Sequence, residues 1–217
     1  MKTLLVATLL SLGLPHLAAG GELSDLIMAP GLFVDAGAPD GQGEILRYAH
    51  SRHLPGREPA GADTGITLPE PVTDGRAVLS RNPQEEKLAL SLSADGTPLH
   101  VVAEFPVDGP NPILLMFLEN AVRNMTAQTG GSPHYIRNRI RESLAASGQG
   151  AAVEGLAVAE LHPFRDDPNR SRMGDFGQLK LTITYDPDEP ARLVELMADT
   201  GTGQGGYTES MSLIEEE

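Results

Sequence analysis

The sequence contains no cysteine and no tryptophan, and only 4% of its 217 residues are aromatic. The absence of cysteine excludes disulfides, thiolate nucleophiles, thiolate metal ligands and a lipid-bearing cysteine. The shortage of aromatic rings disfavours a surface that stacks sugars. A chain with these absences has to be stabilised by its hydrophobic core alone.

Basic residues are also scarce. The chain has 16 Lys and Arg against 30 Asp and Glu, which gives a formal net charge of −14 at pH 7. This excess of negative charge disfavours nucleic acids and anionic lipid surfaces as partners. We therefore expect an acidic, soluble protein that binds no nucleic acid.

Residues 1–20 have the features of a cleaved secretory signal peptide. Lys2 is followed by an apolar run over residues 4–14 that is too short to span a bilayer, and residues 18–20 are small, as a signal peptidase requires. No later stretch of the sequence is apolar enough to be a membrane span. The pattern predicts an exported, periplasmic protein with neither a membrane span nor a lipid anchor.

The rest of the chain is predicted to form a short arm and one domain. Residues 21–42 are rich in Gly, Ala, Pro and Asp, which favours a loosely structured N-terminal arm that docks one or two short apolar pieces. No linker divides residues 43–217, so we expect a single α+β domain there.

Alternating apolar residues predict an antiparallel sheet. Leu46, Tyr48 and His50 share one side of a predicted strand over Glu44–His53, and the alternation is clearest over Lys87–Ser93. Further strands are predicted at residues 65–68, 77–80, 99–105, 153–161, 179–185 and 207–213, whereas residues 186–200 suit either a short helix or an irregular strand.

Two amphipathic helices are predicted between the strands, over residues 111–148. Asn111 caps the first helix, Pro112 occupies its first position, and the helix continues to about residue 128. Ser132 and Pro133 start a second helix in the same way. Because strands precede and follow this pair, the sequence predicts an α+β fold, in which an antiparallel, curved β-sheet has an α-helical hairpin packed on one face.

The predicted architecture indicates a binding protein. A curved sheet that is closed on one side by a helical hairpin often leaves an apolar cleft, and the layout is similar to that of periplasmic lipoprotein carriers of the half-barrel-and-helix type. From the expected cleft we predict a non-enzymatic protein, without a cofactor, that binds an apolar or amphiphilic small molecule; the likeness is one of layout and assigns no residue. The residues predicted to line the cleft are Leu88, Leu90, Val101, Phe105, Leu114, Phe117, Leu118 and Met125.

An alternative is a module for protein–protein interactions in the envelope. If the same apolar residues form a closed core, function would lie in surface contacts with another envelope protein. Arg137 and Arg141 on the second helix are candidates for holding an acidic partner or an anionic ligand. Both arginines would equally suit the solvated face of an amphipathic helix.

A further alternative is an enzyme. Residues 162–170, His-Pro-Phe-Arg-Asp-Asp-Pro-Asn-Arg, resemble the catalytic loop of the Fic family of nucleotidyl-transferring enzymes. The resemblance implies that His162 is the base, Asp166 the acidic metal-associated residue and Arg170 the phosphate-binding arginine. The chain departs from the family's pattern at Asp167-Pro168, which replaces the Gly-Asn of the family's anion-binding loop. We therefore assign no catalytic residue.

Four histidines are candidates for a metal site. His50 and His53 lie three residues apart, which places them on opposite faces of a strand. Whether they converge with His100 and His134 depends on the fold. Surface or hydrogen-bonded histidines are the simpler interpretation, so we predict no metal.

Overall fold

The computed structural model describes residues 22–37, 43–54, 69–82, 86–201 and 206–215. The predicted signal peptide and the strand predicted at residues 65–68 lie outside this part of the chain. No helix within the described ranges is long and apolar enough to cross a membrane.

Eight strands form a single sheet within the described residues, and all neighbouring strands are antiparallel. The strands are β1 Glu44–His53, β2 Val72–Asn82, β3 Lys87–Ser93, β4 His100–Pro106, β5 Ala157–Leu161, β6 Lys180–Tyr185, β7 Leu193–Asp199 and β8 Thr208–Leu213. Their order is β4-β3-β2-β1-β8-β7-β6-β5, so the first and last strands meet at the centre while β4 and β5 form the edges. The sheet is curved and does not close on itself.

Helices cover one face of this sheet. They are α1 Leu23–Ile27, α2 Pro112–Thr129 and α3 Pro133–Ala145, and two short 3₁₀ turns follow at Arg170–Arg172 and Gly174–Gln178. Because α2 contacts both β2 and β7, it crosses the sheet above the central strands, whereas α3 contacts α2 and β5. The predicted α+β fold, a curved antiparallel sheet with a helical hairpin on one face, is confirmed.

The predicted helix cap fixes where α2 begins. The Oδ1 atom of Asn111 accepts hydrogen bonds from the backbone N–H groups of Ile113 and Leu114, at 3.1 and 3.3 Å. Its Nδ2 atom donates to the carbonyl of Ala191, at 3.2 Å. Gly130 ends the helix with a φ of 68°, a left-handed conformation that glycine adopts without steric cost. Asn111 therefore both starts α2 and ties it to the segment before β7.

The core lies between the inner face of the sheet and α2. Alternate strand residues point to this face, and on β1 they are Leu46, Tyr48, His50 and Arg52, all of which are buried. The opposite face of β8 consists of serine and threonine residues. On α2, fully buried core residues include Ile113, Leu114, Phe117 and Ala121.

A register shift in β4 changes the direction of one predicted inward residue. The simple alternation places Val101 on the same face as Phe105, but the pairing of β3 with β4 shifts between Leu90 and Ser91. Beyond the shift, Val101 lies opposite Ser91 and is 58% exposed. The physical reason is that one extra residue in a strand reverses the faces of the residues beyond it.

The structure adds detail to three other segments. Residues 186–200, for which the sequence allows a short helix or an irregular strand, contain β7, and the strand predicted over residues 153–161 begins only at Ala157. Within the predicted arm, Leu23–Ile27 is a short helix that contacts α3, and both of its end residues are fully buried.

Replacing Asn111 by Ala is expected to lower the free energy of unfolding by about 2 kcal/mol, because buried N–H groups of α2 and the Ala191 carbonyl lose their partner. Ser132 makes a weaker cap, since its Oγ accepts from the Tyr135 N–H at 3.5 Å. Its replacement by Ala should cost only about 0.5 kcal/mol. Urea denaturation followed by circular dichroism measures both losses. Equal losses would contradict the stronger role of the Asn111 cap.

Candidate functional site

An apolar cleft of about 600 Å³ opens between the β3–β4 edge of the sheet and the helical hairpin. Met28, which follows α1, closes part of it. The strand wall is formed by Leu90, Leu92, Val102, Ala103 and Phe105, and the helical wall includes Leu115, Met116, Leu118, Val122 and Ile140.

The residues predicted to line a cleft occupy three different environments. Leu90, Phe105 and Leu118 line the cleft. Val101 lies on the other face of β4 because of the register shift between β3 and β4. The remaining four are fully buried in the core, where the sheet and α2 are in direct contact: Leu88, Leu114, Phe117 and Met125.

The cleft also uses apolar residues that the sequence analysis did not select, among them Leu115 and Val122. With the predicted residue Leu118 they lie at helical spacing along α2 and form a second apolar stripe beside the core-facing one. The sequence contains a signal for this second stripe, because the first half of α2 is apolar on all sides. Spacing alone does not show which stripe meets the sheet and which faces an open space.

Arginines surround the helical side of the cleft. Arg123, Arg137 and Arg141 all line it, together with a single acidic residue, Glu119. Arg137 forms a bidentate pair with the Glu119 carboxylate, with N–O distances of 2.9 to 3.1 Å, and the Arg123 Nε lies 3.7 Å from the same group. Arg141 is exposed and has no ion-pair partner among the described residues. Both arginines of the predicted anion or partner site therefore lie at the cleft.

A cluster of buried polar side chains lies beneath α2 at the centre of the sheet. The Glu209 Oε1 atom accepts hydrogen bonds from His50 Nε2 at 2.8 Å and from Arg52 Nη2 at 3.0 Å, both on β1. It also accepts from the Asn120 Nδ2 atom of α2 at 2.8 Å, and Oε2 accepts from the Tyr207 hydroxyl at 2.7 Å. The carboxylate of Glu209 on β8 is therefore held by donors on β1, on α2 and at Tyr207, just before β8.

The environment of Glu209 keeps it ionised. Burial alone would raise its pKa, but the hydrogen bond from His50 and the charge and hydrogen bond of Arg52 lower the pKa to about 2. Burial and the nearby Glu209 charge raise the pKa of Tyr207 well above its ordinary value, so this phenol stays protonated and donates. At neutral pH the cluster thus contains one carboxylate surrounded by donors.

Asn120 connects this cluster to the cleft. Its side chain lines the cleft while its amide donates to Glu209. Sequence reasoning missed the cluster, although His50 and Glu209 occupy inward positions of alternating strands. A polar residue at such a position is a usable signal. His50 and Glu209 lie 159 residues apart in the chain, so the local pattern does not identify them as a pair.

The loop that resembles the Fic motif is attached to α3 through Asp167. The Asp167 carboxylate accepts hydrogen bonds from the Tyr135 hydroxyl at 2.8 and 2.9 Å, from Arg139 Nε at 2.8 Å and from the Asn169 N–H at 2.8 Å. Burial would raise the pKa of Asp167, but these donors together lower it. The buried carboxyl of this loop is therefore Asp167, whereas the neighbouring Asp166 is exposed.

The other residues that the resemblance selects have local roles. Arg170 donates from Nε to the Gly177 carbonyl at 3.0 Å, within the same loop region. His162 is partly buried, and burial followed by the positive charge of Arg165 lowers its pKa. The Asn169 N–H is engaged by Asp167 instead of being open to an anion.

The candidate metal-binding histidines lie in separate places. His50 belongs to the buried cluster, while His53, His100 and His134 are exposed. In the described part of the chain, no group of three or more His, Cys, Asp or Glu side chains is arranged to hold a metal ion.

A second, larger concavity of about 900 Å³ lies at the ends of β1 and β8. Charged residues on its surface form ion pairs with each other, Glu44 with Arg47 at 2.7 Å and Glu189 with Arg192 at 2.8 Å. It also borders Gly37, next to residues 38–42, which are outside the described part. The apolar cleft is therefore the better defined candidate site.

Comparison with known proteins does not assign a function to this site. No protein-family model matches the chain, and no curated protein matches its sequence.

Replacing Glu209 by Gln is expected to destabilise the fold by about 3 to 5 kcal/mol, because Arg52 is left buried without a counter-charge. Replacing Tyr207 by Phe removes one hydrogen bond from the same carboxylate and should cost about 1 kcal/mol. Urea denaturation at neutral pH gives both values. If the two variants were equally stable, the buried charge pair would not be the main contribution of this cluster.

The same variant tests the low pKa of Glu209. Its pKa is about 2 in the folded protein against an ordinary value of 4.5, so the stabilisation is complete above pH 4.5 and is lost as the pH falls towards 2. The full effect is about 3 kcal/mol. The difference in free energy of unfolding between wild type and Glu209→Gln should therefore shrink on acidification below about pH 4.5. A constant difference across this range would contradict the assignment.

Proposed function

We propose that this protein is a non-enzymatic periplasmic protein that binds an apolar or amphiphilic small molecule in the cleft between β3–β4 and the helical hairpin. The supporting observation is the cleft itself, whose strand wall is apolar and whose helical wall combines apolar residues with polar and charged ones. Its volume of about 600 Å³ lies within the range of roughly 300 to 1,000 Å³ that is usual for small-molecule sites.

The side chains of the cleft suit a ligand with a hydrocarbon part. Phe105, Leu115 and Met116 are only half-buried, so apolar surface is still available for burial. Each methylene group of a ligand that leaves water here contributes about 0.8 kcal/mol. Met28 and Met116 are flexible and polarisable, so they can adapt to chains of different shape.

The alternative of an interaction with an envelope protein is supported by the edge strand β4. Val101 and Val102 of β4 and Leu99, which precedes it, are exposed, and an edge strand has unpaired backbone N–H and C=O groups. A partner segment that adds a strand at this edge would use both features.

The enzyme alternative has less support. His162 and Arg170 lie in a loop whose buried carboxyl, Asp167, is engaged by Tyr135 and Arg139. These contacts attach the loop to α3, which is a structural role for its buried carboxyl.

Replacing Ala103 by Trp should block the cleft, because Ala103 lies on its strand wall and the indole would fill the open volume. Nile red, a neutral apolar dye, is expected to bind the wild-type protein with an increase in fluorescence. Its affinity should fall at least about tenfold in Ala103→Trp, which corresponds to about 1.4 kcal/mol.

The matched control is Ala89→Trp. Ala89 is on the neighbouring strand but lies opposite Glu104, on the outer face of the sheet, so the same indole is added away from the cleft. This variant should bind Nile red like the wild type, with circular dichroism confirming that both variants are folded. Equal binding by Ala103→Trp would exclude the cleft as the site.

A further inference from the structure

The charge around the cleft has the opposite sign to the charge of the whole chain. The sequence has a formal net charge of −14, yet three arginines line the cleft beside one glutamate. An anion approaching most of the surface would be repelled, whereas the arginines would attract it. Charge complementarity therefore favours a ligand with a negative group beside these arginines.

A carboxylate already occupies part of this arginine group. Glu119 binds Arg137 through two nitrogens, and the Arg123 Nε lies 3.7 Å from the same carboxylate. The spacing of the guanidinium groups thus accommodates a carboxylate, and planar bidentate pairing is the geometry that arginine favours with this group. One carboxylate does not neutralise three arginines, so a second anion is favoured.

Arg141 is the arginine that is best placed for the second anion. It lies one helical turn after Arg137 on α3, next to the apolar residues Ile140 and Leu144 of the cleft. It also lines a smaller concavity of about 500 Å³ that shares Met28 and Leu144 with the cleft. Its guanidinium is exposed and without an ion-pair partner among the described residues.

We propose that the ligand of the cleft is a single-chain amphiphile with a carboxylate head group. The hydrocarbon chain lies between Phe105 of β4 and the second apolar stripe of α2, and the carboxylate pairs with Arg141, while Arg123 adds a further positive charge to the lining of the cleft. This inference rests on the proposed function, because it names the class of ligand that the same cleft binds.

The test is displacement of Nile red at neutral pH by amphiphiles that differ only in the head group. Each is used below its critical micelle concentration or, for dodecanol, below its solubility limit. Dodecanoate should displace the dye from wild-type protein at a concentration about tenfold lower than dodecanol, since charge-assisted pairing with arginine adds to chain burial. Dodecyltrimethylammonium should be the weakest competitor. The advantage of dodecanoate should decrease as salt is added.

Replacement of Arg141 by Gln, alone or together with Arg123→Gln, should remove the advantage of dodecanoate and leave displacement by dodecanol unchanged. Arg76→Gln is the matched control for the single variant, because it removes one exposed positive charge on β2, away from the cleft. Both substituted cleft arginines are exposed, so the variants are expected to fold, and circular dichroism checks this.

The outcomes separate this inference from the proposed function. If Nile red does not bind the wild-type protein and neither dodecanoate nor dodecanol binds by calorimetry, the proposed function itself fails. If Nile red binds but dodecanol competes as well as dodecanoate, the cleft binds apolar ligands and the head-group inference is overturned. Tighter binding of dodecyl phosphate than of dodecanoate would overturn the carboxylate assignment in favour of a phosphate head group.

Discussion

The buried carboxylate of Glu209 is the constraint on which the arrangement of sheet and helices depends. The two halves of the sheet, β4-β3-β2-β1 and β8-β7-β6-β5, meet only where β1 pairs with β8. Glu209 on β8 binds His50 and Arg52 across this pairing and Asn120 on the helix above it. A buried charge is tolerable only when its donors are all in place, so the carboxylate selects one register and one rotation of α2.

The position of the cleft follows from that rotation. With Asn120 directed towards Glu209, one apolar stripe of α2 meets the central strands and the next stripe points towards β3 and β4. The partner helix α3 contacts α2 and β5, the edge strand at the opposite end of the sheet. The same helix lines the cleft through Ile140 and Leu144, but apolar surface at the β4 edge is not fully covered, since Phe105 remains half-buried.

Local sequence signals predicted the elements well, and long-range relations set the limit. The Asn111 and Ser132 caps identified both long helices, and the bounds of β1 and β3 agree with the alternation. The face of Val101 was not predictable, because the register shift depends on the pairing with β3. Leu114 and Leu118 looked equivalent in sequence, yet one lies in the core and the other at the cleft, since helical spacing does not show how far the sheet extends beneath α2.

The polar groups that line the cleft differ in what they can offer the proposed ligand. The Asn120 amide donates to Glu209, whose two oxygens already accept four hydrogen bonds and whose side chain is excluded from solvent. A charged group there would have to compete with partners that Glu209 needs, at the desolvation cost of any buried unpaired charge. Arg141, by contrast, is exposed and its charge is available. For the proposed ligand, this difference favours a molecule with one charged end and one apolar end over a molecule that is charged at both ends.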